Sequence, residues 1–266
     1  MSGTRVVLTC LVTLVVTGAA GRALADGAKY RVEEQRLGPF HETHEDPVFS
    51  EDGRHLAYVV QRGDKCLVVV DGIEGAGYGR VRELVLSADG RRVAYAARKG
   101  KEPNQKWLVV VDGVPGPKYD AIRERSLTLS ADGRRVSYVA LVGRGRKPKC
   151  VVVVNGVAGP AYDAVRQGQP AFSADGQRFA YAAQKGQKWV VVVDGVEGPQ
   201  YDEIGGWSLV FSADGHRVTY SARKGQKWVV VADGVEGPEY DEIGQGSLVF
   251  GPDGRRMAYS AKKGQK

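Results

Sequence analysis

Residues 211–249 read FSADGHRVTYSARKGQKWVVVADGVEGPEYDEIGQGSLV, and the 39 residues before them, 172–210, are identical at 30 positions. The opening Phe-Ser-Ala-Asp-Gly returns as Phe-Gly-Pro-Asp-Gly at 250–254, and earlier copies begin at Phe49, Leu86 and Leu129. The spacings are 37, 43, 43, 39 and 39, so the chain holds six copies of a unit of about 40 residues. Self-similarity at this period marks a solenoid, an array or a propeller, whose units bury their apolar faces against one another.

Each unit reads as four short strands. In the copy above, an apolar strand Ser208–Phe211 runs into a turn, Ser212-Ala213-Asp214-Gly215. Asp caps such turns through its side chain, and Gly accepts the positive φ that a Cβ resists. A second strand, Arg217–Ala222, alternates Val218 and Tyr220 onto one face. After Lys224-Gly225-Gln226 comes a third strand, Trp228–Ala232, whose unbroken valines imply burial on both faces. The fourth is expected around Glu239–Ile243, after a turn containing Gly237-Pro238; its polarity suits an outer edge. Four strands per unit with no helical periodicity is the pattern of a β-propeller blade.

The last copy stops at Lys266, after its second strand. Near the other end, Lys29-Tyr30-Arg31-Val32 and Gly38-Pro39-Phe40 match the half-unit that is missing. The expected fold is therefore all-β, a six-bladed propeller with its sixth blade closed by N- and C-terminal segments. The competing reading is a piece of a longer propeller.

The run Phe-Ser-x-Asp-Gly-x-Arg-Val-x-Tyr, as at 211–220, resembles the WD-like repeats of the TolB-like bacterial β-propeller family. The resemblance covers nearly all of residues 29–266. It implies six blades, export, and service as a binding platform, often for other proteins. With about 20 residues between Asp26 and the first Asp-Pro-Val-Phe, no separate N-terminal α/β domain of that pattern is expected.

Composition agrees with a globular chain. Of 266 residues, 38 are Lys or Arg and 31 Asp or Glu, a net charge of +7; 42% are hydrophobic and 3 are Cys. These values exclude collagen, a disordered tail and a disulfide-stapled miniprotein. No apolar run reaches the roughly 20 residues of a spanning helix. Residues 1–25 have the order of a secretory signal: Arg5, an apolar run from Val6 to Val16, then Ala23-Leu24-Ala25 before Asp26. The alternative is an uncleaved anchor, the one route by which a membrane would be met. Expected domains are a signal at 1–25 and a single propeller at 26–266, in the periplasm or secreted.

Several constellations invite chemistry. Asp202-Glu203 and Asp241-Glu242, with Asp120 and Asp163, recur at one place in the unit, so they spread around a ring instead of converging on a substrate. They are expected to be structural, as are the Asp-Gly turns. His41 and His44 lack the third and fourth ligands that zinc takes, and no metal or other cofactor is expected. Trp107, Trp189 and Trp228 share one position, where Cys66 and Cys150 replace Trp elsewhere. Equivalent aromatics are expected to pack blade on blade, and the two cysteines to lie too far apart for a disulfide. Basic hairpins at Arg98–Lys101, Arg144–Lys147 and Lys262-Lys263 are expected to be a solvated rim; no nucleic-acid partner is expected.

Four residues differ between units at the approach to the innermost strand: Trp207, Gln169, Arg125 and Gln245. They are the candidate ligand contacts, at the mouth of a central channel. None is an obvious nucleophile or base. The expected function is a noncatalytic scaffold, a monomer that binds a protein or an envelope polymer. The alternative is a propeller hydrolase or lyase acting at the channel mouth.

Overall fold

The computed structural model describes residues 46–143, 145–166 and 170–264. The expected signal, His41 and His44, the segment expected to complete a sixth blade, Arg144 and Gln169 lie outside the described residues. Among the described residues every regular element is a β-strand, and no helix is long and apolar enough to cross a membrane.

The strands form successive antiparallel blades. The first consists of Val48–Phe49, Leu56–Arg62, Lys65–Val70 and Ile73–Glu74, hydrogen-bonded in chain order. The fifth has an inner strand in two pieces, Glu203–Ile204 and Val210–Phe211, followed by Val218–Lys224, Lys227–Ala232 and Val235–Tyr240. Both inner pieces pair with the second strand, Ile204 opposite Ala222 and Phe211 opposite Val218. Five four-stranded blades are complete, and Glu242–Ile243, Val249–Phe250, Met257–Ala258 and Ala261–Lys262 supply the inner and second strands of the next.

The fourth strand differs from its expected position. It spans Val235–Tyr240, and Glu242–Ile243 already opens the inner strand of the following blade. Gly237 and Pro238, which read as a turn, sit instead in a bulge where the register shifts between Val229 and Val231. A bulge on an edge strand tolerates a proline, which has no N–H to give to the ladder.

The valine run of the third strand is buried on both faces, as expected, and the reason is specific. Val229 and Val231 enter the apolar cluster shared with the preceding blade, containing Ala182, Val191, Tyr201 and Ile204. Val230 enters the cluster shared with the next, with Ile243 and Leu248. The same alternation divides Val190 and Val192 from Val191. Each third strand therefore belongs to two cores. Trp107, Trp189 and Trp228 pack at the edges of these clusters, matching their expected role. Cys66 and Cys150 are free, and Cys150 is buried in the cluster between blades three and four.

One aromatic contact recurs at every described junction. Tyr78–Tyr95, Tyr119–Tyr138, Tyr162–Tyr181, Tyr201–Tyr220 and Tyr240–Tyr259 meet edge to face at 5.8–6.2 Å. In each, a tyrosine from the end of one blade meets a tyrosine on the second strand of the next. Such pairs contribute about 0.5–1.5 kcal/mol beyond the area they bury. Desolvation pushes the Tyr220 hydroxyl up to about 12.

Polar clasps hold the two faces. On one, Asp214 Oδ1 accepts from Ser212 Oγ (2.5 Å) and from the His216 N–H (3.1 Å), shaping the turn between first and second strands. Gly215 of that turn has φ +73°, and a Cβ there would lie 2.8 Å from Asp175 Oδ1 of the preceding blade. The Asp-Gly turns thus stack blade against blade, which is the structural role expected for them. On the other face, Asp202 accepts from Lys188 Nζ (2.6 Å) of one blade and from the Gly225 N–H (2.8 Å) of the next. Asp120 and Asp163 repeat that clasp with Lys106 and Gly143, and with Lys149 and Gly186.

Two expectations follow. Tyr201→Ala should destabilise the protein by about 3–5 kcal/mol, the range for removing a buried aromatic. A double-mutant cycle with Tyr220→Ala, read by urea unfolding, should return a coupling of about 0.5–1.5 kcal/mol; additive losses would contradict the junction role. The second concerns acid. Hydrogen bonds from Lys188 and the Gly225 N–H hold Asp202 below its ordinary 3.8, as Lys149 and the Gly186 N–H do for Asp163. Ser212 and Ser173 do the same for Asp214 and Asp175. A lowered native value means that the unfolded chain takes up protons first as pH falls. The stabilisation is complete above about 4 and is lost as pH drops through the native values. Melting temperature against pH should be level down to about 4 and fall below it; a decline that begins near neutrality would implicate other groups.

Candidate functional site

The inner strand is interrupted where the candidate residues lie. In blades three, five and six it breaks into two short pieces with five residues between them, 123–127, 205–209 and 244–248. A serine closes each bulge. Ser126 Oγ donates to Arg123 O (2.6 Å) and accepts from the Val139 N–H (3.0 Å). Ser208 does this with Gly205 and Ser221, and Ser247 with Gly244 and Ser260. The residue before the serine is left-handed in all three, with φ of +57° at Arg125, +57° at Trp207 and +67° at Gly246.

Glycine takes that conformation freely, whereas a bulky side chain there is strained by about 1–3 kcal/mol. Trp207 nevertheless occupies it and is 74% exposed. Gln245, in the adjoining bulge, is also exposed. It lies next to the Trp207 bulge: a Cβ on Gly206 would be 3.0 Å from Gln245 Nε2 and 3.8 Å from an Arg166 terminal nitrogen. Arg125 sits in the bulge of blade three, with the fourth blade between it and Trp207. Gln169 lies outside the described residues. The structure thus brings Trp207, Gln245 and Arg166 into one neighbourhood and keeps Arg125 apart from it along the same inner edge.

Two features are absent from the candidates read in the sequence. One is a row of arginines, Arg82, Arg123 and Arg166, at one position in blades two to four. Each donates across a junction, to the carbonyls of Ile122, Val165 and Ile204 respectively. In blades five and six the position is Gly205 and Gly244, where a Cβ would fall 2.0 Å from Ser221 Oγ and 2.1 Å from Ser260 Oγ. The signal was present in the repeats: Arg goes with Ala96, Val139 or Ala182 on the second strand, and Gly with Ser221 or Ser260.

The other feature is a row of exposed aliphatics on the first residue of each fourth strand. Ile73, Val114, Val157, Val196 and Val235 are 68–76% exposed. Two of them border grooves between blades. One groove, of about 280 Å³, is lined by Arg92, Val109, Val114, Tyr138 and Gly156 among others. Another, of about 470 Å³, is lined by the equivalent Arg178, Val191, Val196, Tyr220 and Gly234. Among the described residues no group of three or more His, Cys, Asp or Glu is placed to hold a metal ion.

No protein-family model matches the chain, and no curated protein sequence matches it. Solved structures similar to it include TolB from Acinetobacter baumannii, at 16% identity and a TM-score of 0.33, over 90% of this chain and 59% of that one. The β-propeller domain of the trilobed protease from Pyrococcus furiosus, described as having an open velcro topology, gives 15% and 0.39 over 83% and 79%. A periplasmic gluconolactonase, PpgL, from Pseudomonas aeruginosa gives 18% and 0.37 over 88% and 82%. The chain spans 59% of the length of the TolB chain. At these scores the assignment as a propeller-type array of blades stands on the strand order, the register and the repeated junctions.

Replacing Trp207 with Gly should relieve the left-handed strain and stabilise the protein by about 1 kcal/mol. Urea unfolding of Trp207→Gly beside wild type measures it. A destabilised variant would mean that the indole packs in a way its exposure does not suggest.

Proposed function

We propose that the protein is an exported, noncatalytic propeller that holds a protein partner at the outer rim of its blades. In this reading the ring closes with six blades, the sixth completed by the N-terminal segment, and works as a monomer in the periplasm or outside the cell. The signal-like residues 1–25 support export.

One observation carries the reading: the same rim position exposes an aliphatic side chain in five consecutive blades. A single exposed valine means nothing. Here blade one has replaced the junction Trp with Cys66 and the clasp Asp with Gly79, yet keeps Ile73 at the rim. An aliphatic lip beside a groove gives a partner an apolar anchor, with arginines at its border for polar contacts. Repetition would let one partner engage several such points.

The test is capture from an envelope extract by the chain 26–266, washed at high salt. A triple variant, Val114→Lys, Val196→Lys and Val235→Lys, changes exposed positions where stability effects stay within about 0.5 kcal/mol each. The expected result is a defined protein retained by wild type and lost by the triple variant, with Trp207→Ala still retaining it. Equal retention by the triple variant, or none by wild type, would sink the rim reading.

A further inference from the structure

We propose that the junction between blades one and two binds a carboxylate from outside the chain, held by Lys65, Arg98 and the Gly100 N–H.

The other described junctions show what such a place holds. In each, an aspartate follows the junction tyrosine and bridges two blades. Asp120, Asp163 and Asp202 accept from a lysine of one blade at 2.5–2.6 Å and from a glycine N–H of the next at 2.8–2.9 Å. Asp241 does the same with Lys227 and Gly264. At the first junction the residue after Tyr78 is Gly79, so the chain supplies no carboxylate there.

The frame around Gly79 is kept. Tyr78 bridges to Cys66 as Tyr119 does to Trp107, and it meets Tyr95 edge to face like its counterparts. The Gly79 N–H donates to Arg98 O at 2.9 Å, as the Asp202 N–H does to Arg223 O. Lys65 takes the place of Lys106 and Lys149 in the repeat. Gly100 has φ +101°, against +99° at Gly143, whose N–H serves Asp120. The Gly100 N–H itself has no acceptor among the described residues. A Cβ on Gly79 would meet only Arg98 O, at 3.6 Å, which leaves room for a carboxylate. The repeat therefore aims the same donors at one point, without the acceptor.

The charges around that point have changed in the same direction. The cross-strand pair beside it is Glu203 opposite Arg223 in blade five and Glu242 opposite Lys262 in blade six. In blade two it is Arg80 opposite Arg98, and like charges directly opposite are unfavourable. Lys188 and the Gly225 N–H, with Arg223 adding to them, hold Asp202 below its ordinary value; Arg98 stands where Arg223 does. Two acids lie close in the chain and neither replaces the aspartate. Asp64 is 3.8 Å from Lys65 Nζ with its side chain 88% exposed, and Glu102 makes no ion pair among the described residues. An arriving carboxylate gains charge-assisted hydrogen bonds whose geometry the neighbouring junctions already display.

The place is separate from the aliphatic rim. Ile73 lies opposite Val70 at one end of the third strand, and Tyr78 opposite Cys66 at the other. It does not rest on the scaffold reading.

The test is calorimetric titration of the full chain with succinate and, separately, with the blocked peptide acetyl-Gly-Asp-Glu-Gly-amide. Ionic strength is held constant with sodium chloride. The expected result is saturable binding of at least one probe, weakened about five-fold in Lys65→Gln and in Arg98→Gln, the loss that one exposed ion pair represents. Gly79 is outside the left-handed region, so an aspartate fits its backbone. Gly79→Asp should therefore melt higher than wild type and bind neither probe, while Gly79→Ala, which adds a methyl and no charge, should bind as wild type does. The Lys65 side chain is 52% exposed, so its variant remains informative if a Gly79 variant fails to fold. Binding of the peptide alone makes the source an acidic segment of a protein, and binding of succinate alone a free acid; binding of both assigns recognition to the carboxylate group itself. No saturable binding of either probe, or equal binding by wild type, Gly79→Asp and Lys65→Gln, overturns the proposal.

Discussion

Each blade buries its apolar faces only against its neighbours, and that constraint governs the rest of the structure. A four-stranded sheet of these short strands has two apolar faces and no core of its own. The third strand shows the consequence most plainly, because its successive valines serve two different junctions. Continuous valine is then not redundancy but the simultaneous requirement of two cores. The edge-to-face tyrosines fix how one blade sits on the next, since a ring edge must meet a ring face at a defined distance. With that geometry repeated, the polar clasps fall into place on both faces without a separate design for each blade.

The junctions also decide which side chains are free to change. The Asp-Gly turns cannot vary, because the preceding blade occupies the space where a Cβ would stand. The clasp aspartates join a lysine of one blade to a backbone N–H of the next, so their loss would remove a contact between blades. The inner bulge and the outer rim lie outside these demands. At the rim the chain keeps one residue type, an exposed aliphatic; at the inner bulge it does not keep one. Uniformity of an aliphatic residue at an exposed position is the reverse of what packing alone would produce.

Much of the fold was legible because the repeats print it many times. The strand count, the turn chemistry and the double burial of the valine run all follow from local rules applied to one unit. The fourth strand was misplaced because Gly237-Pro238 has the composition of a turn, and only the register of the neighbouring strand turns it into a bulge. Asp202 was correctly read as structural, but its two partners lie in different blades, which no single unit displays. The candidate residues at the inner edge were visible as departures from the repeat. Arg123 and Arg166 were not, because an arginine shared by three units reads as part of the pattern. Their meaning depends on what the guanidiniums touch, and a sequence does not show that carbonyls, not carboxylates, receive them.

Trp207 and the arginine row then belong to one physical situation. A tryptophan held left-handed where blade six has glycine is a local cost with no packing return, since the indole stands in solvent. The arginines that reach across the junctions to backbone carbonyls are a second such feature, three blades wide, with Arg82 also paired to Glu124 and Arg82 and Arg166 laid over Trp107 and Trp189. Both fall on the inner edge, and neither occurs at the equivalent positions of blade six, where Gly244 and Gly246 stand. Costs that a neighbouring copy of the same unit avoids cannot be requirements of the fold. They are properties of one side of the array, where the departures from the repeat gather along a single inner edge.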